Sequence, residues 1–156
     1  MTVHFCNSEC CSYLVEPYEN VVEIPRQIRR RKAGAFIYDK KKNKLLLVQS
    51  RGQLWGMPKG SFEVNEISTE CAVREVKEET GIDIDINRYT PCFCLNNTSY
   101  YYYVSKEETI VDVQHVKDND ANGIGWFNLD CLKELCNDKK LRVNKHTILA
   151  IKKFIF

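Results

Sequence analysis

The chain has 156 residues, 44% of them hydrophobic and 28% charged, which is enough apolar material for one domain with its own core. Its formal net charge of +2 points to no class of partner, so any basic surface must be local. No apolar run approaches the length of a membrane span, the first 20 residues carry Glu9 and Glu16 instead of a continuous apolar stretch, and sparse Gly and Pro argue against a disordered tail.

Residues 1–24 are expected to form an N-terminal cysteine-containing segment packed on, or leading into, a single domain over residues 25–156. His4, Cys6, Cys10 and Cys11 are crowded enough to suggest zinc. Against zinc, the run lacks the paired Cys-x2-Cys spacing of common sites, and adjacent cysteines do not easily share one ion; ordinary thiols are the plainer reading. The chain has eight cysteines in all. Without a secretory signal they are expected to be reduced, in a cytoplasmic or nuclear compartment.

Arg26, Arg29, Arg30, Arg31 and Lys32 form a basic cluster that is either a solvated face or a contact for phosphate or RNA. Ala33–Tyr38 and Lys44–Ser50 are apolar and β-rich around a polar turn, and predict a hairpin. A loop over Gly52–Lys59 carries Trp55, Met57 and Pro58. Ile82–Ile86 alternates with period 2 and predicts a strand. Thr90–Leu95 and Tyr100–Ser105 predict paired strands, and Thr109–Val116 and Ile124–Asn128 two more. Leu129–Cys136 and Asn144–Phe154 predict helices. This order indicates an α/β protein, a mixed sheet flanked by helices.

The most informative stretch is Gly60–Ile82. Ser68 is placed to cap a helix, Glu70 falls in its first turn and Gly81 closes it. Within that helix Glu75, Glu78 and Glu79 are related as i, i+3 and i+4, so their carboxylates share one side, while Ala72, Val76 and Thr80 form a neighbouring apolar stripe. Such a run alone would serve as a solvated acidic face, with Arg74 paired to Glu70 or Glu78. Three clustered carboxylates repel, however, and a hard divalent cation with oxygen ligands relieves the repulsion.

Gly60, Glu66 and Arg74-Glu75-Val76-Lys77-Glu78-Glu79-Thr80-Gly81-Ile82 together resemble the Nudix box at each of its fixed positions. The resemblance implies an α/β/α sandwich in which the box forms a loop-helix-loop beside the sheet. It also implies Mg²⁺ or Mn²⁺ held by Glu75, Glu78 and Glu79, with one of them doubling as general base. Arg74 would then orient a box glutamate such as Glu66. Family members often recruit a further acid from outside the box, and Glu107, Glu108, Asp118 and Asp120 are the candidates. Lys59 and Arg51 are placed to lie along phosphates or else are solvated loop charges. Trp55, Phe127 and Tyr100–Tyr103 offer aromatic faces for a base, although alternation sends at least two of those four tyrosines into the core.

The chemistry implied is hydrolysis of a phosphoanhydride in a nucleoside diphosphate linked to another group. Leu54-Trp55-Gly56-Met57-Pro58-Lys59-Gly60 and the Cys71-Ala72-Val73-Arg74-Glu75-Val76 helix resemble the mRNA-decapping branch, with Met57 in place of the usual aromatic. In that reading Arg29–Lys32 and the C-terminal Lys139, Lys140, Arg142, Lys145, Lys152 and Lys153 contact the RNA body. The alternatives are a small-molecule enzyme for dinucleoside polyphosphates, diphosphoinositol polyphosphates or modified nucleoside triphosphates, and a silent RNA-binding domain, which the intact glutamates argue against.

Overall fold

A computed structural model describes residues 1–17, 30–50, 54–116 and 119–156. The described strands are β1 (Thr2–Phe5), β2 (Ser12–Val15), β3 (Lys32–Asp39), β4 (Lys44–Ser50), β5 (Leu54–Gly56), β6 (Lys59–Ser61), β7 (Cys92–Leu95), β8 (Ser99–Ser105) and β9 (Ala121–Asn128). The helices are α1 (Ser68–Thr80), α2 (Leu129–Asn137) and α3 (Lys145–Ile155). The sheet runs β1-β2-β9-β4-β3-β8-β7, with β5 joined to β4 and β6 to β3. The β3–β8 pair is parallel and the other pairings are antiparallel, so the sheet is mixed.

Alternation along the central strands builds two cores. Phe36, Leu45, Leu47 and Phe127 point to one face, where Leu132 and Leu135 of α2 and Ala150 of α3 cover them. Ala35, Ile37, Leu46, Val48, Ile124 and Trp126 point to the other, under Val76 of α1. Helices therefore cover both faces of the mixed sheet, the α/β/α sandwich that the family resemblance implies. No helix among the described residues is long and apolar enough to cross a membrane.

The feature that positions the site is a split between β3 and β4. They pair only at Tyr38–Leu45 and Asp39–Lys44, and a strap from Leu54 to Ser61 fills the gap beyond, β5 on β4 and β6 on β3. The strap is pinned from the other side. Trp55 N–H donates to the Arg142 carbonyl, Asn144 N–H to the Trp55 carbonyl, and Met57 N–H to the Thr147 hydroxyl. What reads as a loop is thus two short strands with most of their backbone groups satisfied.

Two predicted strands are absent. Among the described residues, Ile82–Ile86 and Thr109–Val116 form no strand and join no ladder. They cover the α1 face: Ile84 and Val113 are buried there with Trp126, whose indole N–H donates to the Thr109 carbonyl. Their alternation reports burial of one side, which a covering segment needs as much as a strand does. Sequence reasoning gave no element to residues 1–24; among the described residues β1 and β2 form a hairpin that adds to the sheet through β2 and β9.

Candidate active site

Helix α1 starts one residue before its expected cap. Ile67 is the N-cap, and the Glu70 carboxylate accepts from the Ile67 N–H at 3.1 Å. Ser68 is the first helical residue, and its hydroxyl bonds the Tyr102 hydroxyl at 2.6 Å. The helix ends at Gly81, whose φ of 77° is left-handed and suits glycine. Cys71, Ala72, Val76 and Thr80 are buried against the sheet, which turns the glutamate side toward the strap.

Arg74 gathers that side. Its Nε and Nη2 donate to the two oxygens of Glu66 at 2.7 and 2.9 Å, a bidentate pair. Nη1 donates to Glu75 at 2.9 Å and to Glu78 at 3.1 Å, and Nη2 also to the Ser61 carbonyl at 2.9 Å. All five guanidinium N–H groups are used. Glu66 in turn accepts from the Glu63 N–H, so the loop before the helix and the helix itself are tied through one side chain. The Arg74 guanidinium beside it lowers the Glu66 carboxyl to about 2.

Glu79 lies beneath this layer. It is 6% exposed, accepts from the Lys59 N–H, and its Oε2 has no hydrogen-bond partner. Burial, the Asp120 charge and the Glu75 charge all push its carboxyl well up, against the pull of Lys59. Burial likewise raises Glu75 to about 7, with Glu78 and Asp120 adding to the rise and Arg74 opposing it. Several carboxylates thus share a partly desolvated pocket with more negative charge than Arg74 and Lys59 relieve. An orphaned buried oxygen in an all-oxygen donor set fits a hard divalent cation.

The structure separates the outside-box acids. Among the described candidates, Asp120 is the one whose charge acts on both Glu75 and Glu79. Glu108 is engaged elsewhere, with Lys42 and Lys44 at 3.0 and 3.1 Å, and Glu107 acts on Lys42. Asp118 lies outside the described residues, as do Arg51, Arg26 and Arg29. Nothing in the sequence singles out Asp120, because its proximity to Glu79 arises from the path of the chain into β9.

Lys59 and Gly60 sit on β6 against α1, and the Lys59 charge reaches both Glu79 and His146. His146, which sequence reasoning passed over, bonds the Tyr101 hydroxyl through Nδ1 at 2.6 Å. Two expected stacking platforms are corrected. Trp55 and Phe127 are both 0% exposed and pack edge-to-face with each other, so neither presents a ring to a base. Tyr101 and Tyr102 are buried, and Tyr100 and Tyr103 are the partly exposed members of that run. Arg31 lies over the Phe62 and Tyr100 rings and donates to the Tyr100 hydroxyl at 2.7 Å, while Arg30 and Lys32 are exposed. Lys139, Lys140, Arg142, Lys145, Lys152 and Lys153 are all exposed.

Comparison with known proteins agrees with this architecture. A family model described as the NUDIX domain matches residues 28–150. A protein of Invertebrate iridescent virus 3, named only as a hydrolase, is 34% identical over 142 residues, covering 86% of this chain and 82% of that protein. The m7GpppN-mRNA hydrolase of Saccharomyces cerevisiae is 29% identical over 100 residues, 61% of this chain but only 10% of the yeast protein. The mRNA-decapping protein g5R of African swine fever virus is 38% identical over 66 residues, 40% of this chain and 26% of that one. Among solved structures, a MutT NUDIX hydrolase from Burkholderia pseudomallei superposes with a TM-score of 0.61 at 21% identity, over 82% of this chain and 99% of that one.

Proposed function

The chain belongs to the NUDIX family of pyrophosphohydrolases, and from that premise we propose that it opens the phosphoanhydride of the mRNA 5′ cap, releasing 7-methyl-GDP. The observation that carries the hydrolytic part is the set of box glutamates gathered by Arg74 over the buried Glu79. The cap is supported by the named activities of the yeast and African swine fever virus relatives. The exposed Arg30, Lys32, Lys145, Lys152 and Lys153 supply basic side chains for an RNA body.

Glu78 and Glu79 are the principal residues to hold a divalent cation, with Glu75 and Asp120 beside them. When bound, Mg²⁺ or Mn²⁺ neutralises charge on the phosphoryl oxygens and lowers the pKa of water. The chain's own residues do the positioning. Arg74 fixes one oxygen of Glu75 and one of Glu78, so both carboxylates approach from a rigid helix. Glu75, pressed against the bare backbone of Gly60, is placed to accept the proton of the attacking water. Lys59, on the neighbouring strand and with its charge acting on Glu79, would supply a cation to the departing or retained phosphate.

A second reading is cleavage of small compounds such as dinucleoside polyphosphates, diphosphoinositol polyphosphates or modified nucleoside triphosphates. It is favoured by the burial of Trp55, which leaves the decapping-like lead-in without an exposed aromatic platform. Cap-labelled RNA and a panel of these compounds, incubated with Mg²⁺ and separately with Mn²⁺, distinguish the two. Metal-dependent 7-methyl-GDP release that Glu78→Gln abolishes establishes decapping. Turnover of the small compounds alone rejects it.

A further inference from the structure

Four cysteines converge at the turn end of the N-terminal hairpin, on the face of the sheet away from α1. The Sγ atoms of Cys6, Cys10, Cys11 and Cys131 all lie within 4.8 Å of one another. Cys6 and Cys10 are 3.6 Å apart, and Cys10 and Cys131 3.2 Å. Sulfurs at the corners of a zinc tetrahedron, each about 2.3 Å from the ion, stand roughly 3.8 Å from one another. The thiols are thus close to a tetrathiolate spacing.

The backbone explains how neighbouring cysteines reach one point. Cys6 N–H donates to the Cys11 carbonyl and Glu9 N–H to the Cys6 carbonyl, both at 3.1 Å, which closes the loop between β1 and β2. Glu9 takes a left-handed φ of 60° at the turn. Cys10 is exposed and Cys11 buried, so the pair approaches from solvent and from the core. His4, the residue that the sequence grouped with these thiols, instead stacks on Tyr13 at 5.2 Å. Cys131 takes its place from far along the chain.

Cys131 stands in the first turn of α2, where the Asn128 side chain accepts from its backbone N–H and fixes the turn that presents its sulfur. The Ser8 hydroxyl lies 3.6, 3.5 and 3.5 Å from the sulfurs of Cys6, Cys10 and Cys131, as an outer donor to coordinated thiolates does. The loop is held without any metal. Asn7 donates to Asp138 at 2.9 Å and accepts from Lys140 at 2.8 Å, and Lys44 donates to the Cys10 carbonyl at 2.9 Å.

We propose that Cys6, Cys10, Cys11 and Cys131 form a tetrathiolate zinc site that fastens the β1–β2 hairpin to α2. Soft sulfur donors select zinc over the hard cations that suit the glutamates. Four protein ligands leave no open position, so the ion is structural. The two centres lie on opposite faces: Cys6, Cys11 and Cys131 pack with Phe127 and Leu132, and α1 packs on the other core through Val76. All eight cysteines are free thiols, so no disulfide competes for these sulfurs.

Elemental analysis of the full chain, produced with zinc in the medium and purified under reducing conditions, tests this. One zinc per chain is expected in the wild type and in Glu78→Gln, falling to about a tenth or less in Cys10→Ser and Cys131→Ser. Replacement by Co²⁺ should give the intense thiolate-to-cobalt absorption of a tetrahedral sulfur site. Should the cysteine variants fail to fold, the wild-type zinc count and the cobalt spectrum still decide. A wild-type chain without zinc, zinc lost in Glu78→Gln but retained in Cys131→Ser, or a disulfide among these four cysteines in the reduced preparation overturns the proposal.

Discussion

The Glu75 carboxylate occupies the space that a side chain at position 60 would need: a Cβ on Gly60 would lie 2.0 Å from its carboxyl carbon and 2.2 Å from each oxygen. Contacts that short do not occur, so any other residue there must push Glu75 off Arg74 or push β6 off α1. Gly60→Ala should therefore lower the hydrolysis rate by about 10- to 100-fold through misplacement of one carboxylate. The fall should appear mainly in kcat, with the far-ultraviolet circular dichroism unchanged. A wild-type rate would show that Glu75 needs no fixed position.

The Arg74–Glu66 pair makes stability depend on acid in a defined window. Glu66 titrates at about 2 in the folded chain against 4.5 for the free side chain. The unfolded chain takes up a proton as pH falls through 4.5, and the folded chain resists until about 2. The pair's contribution, on the order of 3 kcal/mol, is complete above the higher value and is lost toward the lower one. Urea unfolding of wild type and Glu66→Gln should differ most at pH 6 to 7 and converge toward pH 3. A constant difference across that range would mean that the carboxylate charge does no stabilising there.

The contrast between legible and illegible parts follows the range of the interactions. The helix over Ser68–Thr80 and its Gly81 terminus are local matters of periodicity and backbone conformation, and they read directly. So does the β3–β4 turn, where Asn43 adopts a left-handed φ of 54°. Ser68 misled as a cap because its hydroxyl had a better use across the sheet, at Tyr102. The 82–86 and 109–116 segments misled because alternation marks a buried side and does not say whether a ladder partner exists. Trp55 looked like a platform on a loop, but the split between β3 and β4 draws the strap, and its indole, into the core. Asp120 and Cys131 were invisible as partners of Glu79 and Cys10, since only the completed fold brings them together.

Asp120 offers a direct test of the outside-box acid. Its charge raises both Glu75 and Glu79, so Asp120→Asn should make those carboxyls easier to ionise in the metal-free protein while removing an oxygen anion from the pocket. The expected result is a loss of about 10-fold or more in kcat/KM at saturating metal and a lower pH for the acidic limb of the rate profile. Glu107→Gln, remote from the box, should keep the wild-type rate. An Asp120→Asn enzyme as fast as wild type would return the role to Asp118 or to the box itself.

Glu79 sets activity against stability. Burial favours its neutral form, so in the metal-free folded chain it holds a proton that the unfolded chain has already released above 4.5. A raised carboxyl of this kind stabilises fully below the unfolded value and progressively less as pH rises toward the folded one. At pH 8 the native state is therefore penalised, and Glu79→Gln should raise the Tm of the metal-free protein by about 5 °C while lowering activity by about 100-fold or more. The Tm difference should shrink toward pH 4.5. Cation binding reverses the ranking: Mg²⁺ must displace the proton, so it should stabilise wild type more at pH 8 than at pH 6 and Glu79→Gln little at either. Thermal unfolding of both proteins, with and without Mg²⁺ at the two pH values, supplies every term. If Glu79→Gln is the less stable protein at pH 8 without metal, the buried carboxyl is held by partners that outweigh its desolvation, and its Oε2 is not a cation ligand.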